Sequence, residues 1–280
     1  MIRFAEKGDR EALKRLWAEV FGDSPEAVDF YFEHRHSDEG MLVYEADGEI
    51  GGMLSILPMT LASGDAQLPG GYIYAVATAP AHRSRGIATQ LLYAAHDWMR
   101  ARGYAAAVLV PASPGLFDYY AKRGYRAAFY LDIRTHRADA LPRFPEGGAY
   151  APCDAQTYAR IRDAAFASSA LYARWDARAV SYAARTLEPV GGVLRLALGA
   201  GEGCAAWERE TAGGVHVREL ALRGIEVSDA LAILHRALGA PHYRVRHQAG
   251  EGATPFGMIT WLAPAPKWAG GAPYLGLALD

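Results

Sequence analysis

The sequence predicts an α/β (α+β) protein in two parts, and three observations carry that prediction. Strand-like and helix-like stretches alternate along the chain, each with its own hydrophobic period. "YAAAVLV", residues 104–110, is a continuous apolar run of the kind found in a parallel strand buried on both faces. After a Pro- and Gly-rich stretch at 139–150, "DALPRFPEGGAY", the order of elements repeats in outline. With 280 residues, 51% of them hydrophobic and 21% charged, the chain can bury one or two substantial cores.

Taken in order, "MIRFAEKGDREALKRLWAEVFG" reads as a short strand and a helix. Asp9 is the expected cap, and Leu13, Leu16, Trp17 and Val20 form one apolar stripe. "SPEAVDFYFEHRH" starts a second helix with Ser24 as cap and Pro25 in the first turn. "MLVYEADGEIGGMLSILPMTL" gives two strands joined at 46–49, where Asp-Gly supplies a hairpin turn. "GGYIYAVATAP" is a third strand. A helix is expected from Gly86 to about Arg102, with Ile87, Leu91, Ala94, Ala95 and Trp98 on one face. The apolar strand follows, then a short helix in "SPGLFDYYAKRGY" stopped at Gly124, and one or two strands in "YRAAFYLDIRTHRA".

The second half predicts helices in "DAQTYARIRDAAF" and "DARAVSYAART", then strands near 191–198, 203–209 and 214–222. The helix "IEVSDALAILHRALG" and the strand "HYRVRHQ" come next. Arg223-Gly224-Ile225 stands between strand and helix as Arg85-Gly86-Ile87 does in the first half. The expected division is therefore 1–138, a linker at 139–150, and a degenerate copy at 151–280.

A formal net charge of −2 points to neither nucleic acid nor an anionic membrane as partner. The two cysteines, Cys153 and Cys204, have no metal-like spacing and make no disulfide framework. Residues 1–17 lack the apolar core of a signal peptide, and no run is long enough to suggest a membrane span, so a cytoplasmic protein is expected.

The chemistry concentrates in "HRSRGIATQLL", residues 82–92. A helix N-terminus offers unpaired N–H groups and a positive dipole end, Gly86 and Ala88 allow close approach, and Arg83 and Arg85 add charge. Arg83-Ser84-Arg85-Gly86-Ile87-Ala88 matches a signature of Arg or Gln, two residues, Gly, one residue, then Gly or Ala. Downstream, "DYYAKRGY" pairs an aromatic and Tyr with Lys, a variable residue, Gly and an aromatic. On these motifs, on "VATAPAHR" and on the element order, residues 1–138 resemble the GCN5-related N-acetyltransferase (GNAT) family. The rest resembles a decayed copy.

The resemblance implies the GNAT fold, a central mixed sheet flanked by helices, and acetyl transfer from acetyl-CoA to an amine. It implies that the turn Arg83, Ser84, Arg85, Gly86, Ile87, Ala88 and Thr89 holds the pyrophosphate. Val76, Ala77 and Thr78 would pair with the pantetheine arm as an added strand would, with an N–H near Val76 facing the thioester carbonyl. Tyr120 matches the general acid; a phenol of pKa about 10 is protonated at neutral pH. Ser113 stands where many relatives carry an Asn that contacts coenzyme A.

A direct base or a water chain could take the amine's proton; the direct base is read as Glu33, in the helix end that also holds His34 and His36 and that borders the acceptor site in the family. The expectation for these two histidines, for His82 and for His96 is a solvated surface position, and no metal is expected. The second half lacks the full signature, so one active site is expected, in the first half. The second half then shapes the acceptor pocket or makes a dimer contact. The tandem layout resembles the Eis-like (enhanced intracellular survival) branch without its sterol-carrier-like domain. There the C-terminal carboxylate can reach the active site, which raises the question of Asp280. Trp207, Tyr243, Trp261, Trp268 and Tyr274 read as packing residues rather than pocket lining. The expected partners are acetyl-CoA and a small amine, with no nucleic acid and no membrane; a homo-oligomer is left open. The alternatives are a protein or peptide acceptor, or an inactive acyl-CoA-binding regulator.

Overall fold

The computed structural model describes residues 1–188, 190–266 and 271–279. From the N-terminus the elements are β1 (Ile2–Phe4), α1 (Arg10–Phe21), α2 (Pro25–His34), β2 (Met41–Ala46), β3 (Glu49–Ser63) and β4 (Ala66–Thr78). Then follow α3 (Ile87–Ala101), β5 (Ala106–Leu109), α4 (Gly115–Ala121), β6 (Arg126–Arg137), β7 (Gly148–Pro152), α5 (Ala155–Phe166) and β8 (Tyr172–Arg174). The last are α6 (Ala177–Leu187), β9 (Gly191–Leu198), β10 (Gly201–Arg209), β11 (Val215–Arg223), α7 (Val227–Leu238), β12 (His242–Ala249) and β13 (Thr254–Trp261). This is the mixed α/β class that the alternation of periods predicts.

The local signals act as their chemistry dictates in most places. Ser24 caps α2 by accepting from the Ala27 N–H at 3.3 Å, with Pro25 at the first helical position. Asp47 and Gly48, with φ of 54° and 79°, make the β2–β3 turn a primed hairpin turn. Asp9 is an exception. Its carboxylate takes the Arg3 guanidinium at 2.6 and 3.0 Å and the Glu6 N–H at 2.7 Å, and makes no cap bond to α1. A charged fork outcompetes a backbone amide for a carboxylate.

Three strands lie outside the sequence reading. β7 forms within the Pro/Gly-rich stretch as an exposed strand beside β9, β8 is only three residues, and β13 follows the second-half strands. The β3–β4 hairpin is also longer than expected, running to Ser63 and resuming at Ala66 across Gly64 at φ 55°.

The chain forms two compact units. The first comprises Met1–Thr60, Leu68–Arg126 and the segment beginning at Met258. Its strands run in the order β1-β2-β3-β4-β5-β13, with β4 and β5 parallel and β13 antiparallel to β5. α3 buries Ile87, Leu91, Leu92, Ala95, His96 and Met99; Ala94 and Trp98, expected on the same face, are half-buried beside them. Gly71 of β4 permits this packing, since a Cβ there would lie 2.5 Å from Met99 Cε. α1 and α2 bury Leu13, Leu16, Trp17, Val28, Tyr31 and Phe32.

The second unit comprises Leu61–Gln67, Ala127–Gly257 and the C-terminal segment from residue 271. Its strands run β6-β12-β11-β10-β9-β7. β11 and β12 are parallel over Val215–Val217 and Tyr243–Val245, and β6 is antiparallel to β12. This repeats the first unit's pattern: strand, glycine in the left-handed region, helix, parallel strand, with an antiparallel neighbour. Gly86 has φ 75° and Gly224 has φ 69°. Beneath α5 lies a buried ion pair, Arg162 Nε donating to Glu219 Oε1 at 2.7 Å, with the hydroxyls of Tyr158 and Tyr274 donating to the same carboxylate.

Candidate active site

The site begins with a strand that outruns its neighbour. β4 spans thirteen residues but pairs with β5 only at Gly70, Gly71 and Tyr72. From Ile73 to Thr78 its backbone has no partner strand on that side among the described residues. Ala75 sits at φ 51°, a conformation a β-carbon disfavours, so the strand is bent where the two part. Val76 and Thr78 are half-buried along this stretch, and Ala75 and Ala77 are buried. Sequence reading located the segment but missed the bend, because alanine carries no signal for positive φ.

The chain then turns into α3 through two left-handed residues, Ser84 at φ 64° and Gly86 at φ 75°. Glycine takes this conformation freely; serine does so at a cost of the order of 1 kcal/mol or more. Arg83, Ser84, Arg85 and Gly86 are exposed, Ile87 is buried, and Ala88 and Thr89 are half-buried. The first intrahelical bond runs from the Gln90 N–H to the Gly86 carbonyl at 3.0 Å. Amides before it therefore have no intrahelical acceptor. Arg83 donates from Nε to the Thr78 carbonyl at 3.4 Å, linking the turn to the end of β4. Such a turn suits an anion of extended shape.

Tyr120, on α4, is 8% exposed and packs in the same cluster as Ile87 and Leu91, with Val76 against it. Its hydroxyl makes no hydrogen bond to the described residues. Burial, helped by the neighbouring Tyr119, pushes its pKa up to about 12. The phenol is thus held protonated and free to donate. Beneath it, the Tyr125 hydroxyl meets His96 Nε2 at 2.7 Å. Burial takes that imidazole down to about 4, so it is neutral at pH 7.

Sequence reading missed Arg123, the variable position of "KRG". Its guanidinium lies 3.4 Å above the Tyr119 ring, donates to the Tyr119 carbonyl at 2.5 Å and donates to Thr89 Oγ1 at 2.8 Å. Thr89 Oγ1 also meets the Tyr119 hydroxyl at 3.3 Å, and Tyr119 packs edge-on against Tyr120. One arginine thereby ties the first turn of α3 to the helix that carries Tyr120.

Other predicted residues stand apart from this cluster. Glu33 is exposed on the last turn of α2, 3.8 Å from His34. Ser113 is exposed just before α4, its carbonyl accepting from the Leu116 N–H at 3.0 Å. Two histidines expected at the surface are buried instead. His36 bonds Asp38 at 2.6 Å, and His96 lies under α3 as described; in both cases a polar partner offsets the loss of water. His82 is half-buried over Gly51. Tyr243 and Tyr274 are core residues, and Trp207 and Trp261 are half-buried. Trp268 and Asp280 lie outside the described residues. Among the described residues no group of three or more His, Cys, Asp or Glu side chains gathers as metal ligands would, and no helix is long and apolar enough to cross a membrane.

The sequence model of the acetyltransferase (GNAT) domain matches residues 1–128. No curated protein matches the chain. Among solved structures, the chain is similar to a GCN5-related N-acetyltransferase from Anabaena variabilis, with a TM-score of 0.78 and 18% identity over 94% of this chain and 72% of that one. A conserved protein of unknown function from Enterococcus faecalis gives 0.78 and 13% over the same shares. Eis1 from Mycobacterium abscessus gives 0.70 and 15% over 94% of this chain and 74% of its own. At these identities the structural likeness speaks for the fold, and the domain match speaks for the family. Residues 1–128 are thus a domain of the GCN5-related N-acetyltransferase family, and the fold of that family's solved members extends over nearly the whole chain.

Proposed function

We propose that the protein transfers an acetyl group from acetyl-CoA directly to a primary amine of a small molecule, at a single site in the first unit. Acyl transfer from acetyl-CoA is what a GNAT domain implies. The observation that carries the finer reading is Tyr120, a buried phenol held protonated and hydrogen-bonded to no other side chain among the described residues, linked through Tyr119, Arg123 and Thr89 to the anion-ready turn of α3.

In this reading the N–H groups from Arg85 to Ala88 take the pyrophosphate, flanked by Arg83 and Arg85. The unpaired edge of β4 at Val76, Ala77 and Thr78 accepts the pantetheine amides, and an N–H near Val76 faces the thioester carbonyl as negative charge develops there. Tyr120 gives its proton to the departing thiolate. Glu33, exposed and 3.8 Å from His34, is the carboxylate assigned to the amine's proton. Ser113, exposed just before α4, is assigned a contact to coenzyme A.

Calorimetry with acetyl-CoA should show saturable binding that Gly86→Glu weakens at least about tenfold, because a side chain at φ 75° strains the turn and its carboxylate repels phosphate. Unchanged affinity rejects the cradle. A panel of polyamines, aminoglycosides, amino acids and peptides should show turnover on a small amine. Turnover on peptides alone moves the acceptor class to proteins, and tight binding without turnover makes the protein a regulator.

A further inference from the structure

Cys153 and Cys204 are 51 residues apart in sequence, yet their sulfur atoms lie 3.3 Å apart. Both are free thiols in the second unit. Cys204 is fully buried on β10, opposite Arg195 of β9. Cys153 is half-buried in the link from β7 to α5. Its N–H donates to the Val193 carbonyl at 3.0 Å, and the next residue, Asp154, caps α5 through the Thr157 N–H at 2.8 Å. The backbone on each side of Cys153 is therefore held, and its side chain is aimed at Cys204. A disulfide requires the sulfurs to close to about 2.04 Å, a movement of about 1.3 Å that two side-chain rotations can supply.

We propose that Cys153 and Cys204 form a redox-modification site, at which a hydroperoxide converts the pair into an intramolecular disulfide. The asymmetry of the pair sets the order. Cys153 is the one open to solvent, and its hydrogen bond with Cys204, with Arg195 nearby, holds its thiol below the ordinary value; Cys204 is pushed up by the same bond and by burial. The Cys153 thiolate attacks a peroxide oxygen: an S–O bond forms, the O–O bond breaks, and the released oxygen leaves as alcohol or water with the proton that Cys153 gave up. The Cys204 sulfur then attacks the Cys153 sulfur. The S–S bond forms, the S–O bond breaks, and water departs carrying the Cys204 proton. Two thiols lose two electrons and one peroxide gains them. The bond would tie the start of α5, the helix bearing Tyr158 and Arg162, to β10.

The test uses the full chain and hydrogen peroxide, followed by denaturation and alkylation with iodoacetamide. The reduced protein takes two alkyl groups. The oxidised monomer should take none, weigh about 2 Da less, and yield on non-reducing digestion one linked peptide containing 153 and 204. Dithiothreitol should restore both thiols. In Cys153→Ser, which leaves the buried residue intact, Cys204 should stay alkylatable at the same peroxide dose. Two free thiols after excess peroxide, a sulfinic or sulfonic Cys153 beside an alkylatable Cys204, or a disulfide only between chains each overturns the proposal.

Discussion

Tyr120 sits in the cluster beneath α3 and His96 packs on Tyr125 of that cluster, and burial drives their pKa values in opposite directions, each toward its neutral form. For Tyr120 this preserves a proton to give. Tyr120→Phe keeps the ring contacts with Tyr119 and Tyr125 and removes only the hydroxyl. Steady-state kinetics should show kcat lowered by about 10²-fold or more with KM for acetyl-CoA nearly unchanged. In the same assay Glu33→Gln should lower kcat by about 10²-fold. An unchanged kcat takes the base role from Glu33. For His96 the consequence is for stability. Its folded pKa of about 4 lies below the unfolded value of 6.5, so the unfolded chain binds the extra proton and stability falls as pH drops through that interval. Between pH 6.5 and 5, His96 alone costs about 1.5 kcal/mol, before carboxylates contribute. Urea titrations should show that slope, and His96→Gln should flatten it.

Among the elements, α3 and α4 act as one piece because Arg123 joins them. Arg123→Met removes the bonds to Thr89 and the Tyr119 carbonyl and the stacking on the Tyr119 ring, while keeping an apolar stem. KM for acetyl-CoA should rise several-fold, and the thermal midpoint should fall by the equivalent of about 1 kcal/mol. A rise in KM with no fall in stability would assign Arg123 to the ligand rather than to the clasp. The β4–α3 connection shows what local sequence can say. Gly86 marks its turn openly, as does Asp47-Gly48 in the β2–β3 hairpin. Ala75 and Ser84 adopt positive φ with nothing in their residue type to announce it. Their strain is held by the parting of β4 from β5 and by the helix that follows.

At the scale of the molecule, the segment from Met258 completes the first unit's sheet, pairing Met258–Trp261 with Leu109–Ala106. A fragment of residues 1–138 would leave β5, buried along all four residues, with an open edge and Met258 missing from the core. Expressed alone it should be aggregated or unfolded by circular dichroism. Addition of a peptide covering 250–266 should recover soluble protein, and a stable, monomeric 1–138 fragment would refute this dependence. Length, composition, the order of helices and strands, the cap at Ser24, the turn at Gly86 and the position of Tyr120 are properties of neighbouring residues, so they can be read along the chain. The repeat was legible too, since Arg223-Gly224-Ile225 does stand between a strand and a helix, with Gly224 left-handed as Gly86 is. Pairings between distant segments leave no such trace. The strand at 254–261 beside β5, the Arg123 link to Thr89, the burial of His96 against Tyr125 and the meeting of Cys153 with Cys204 depend on which surfaces the fold brings together. Hydrophobic period and turn chemistry are local forces, whereas these contacts form only when packing has closed the chain on itself.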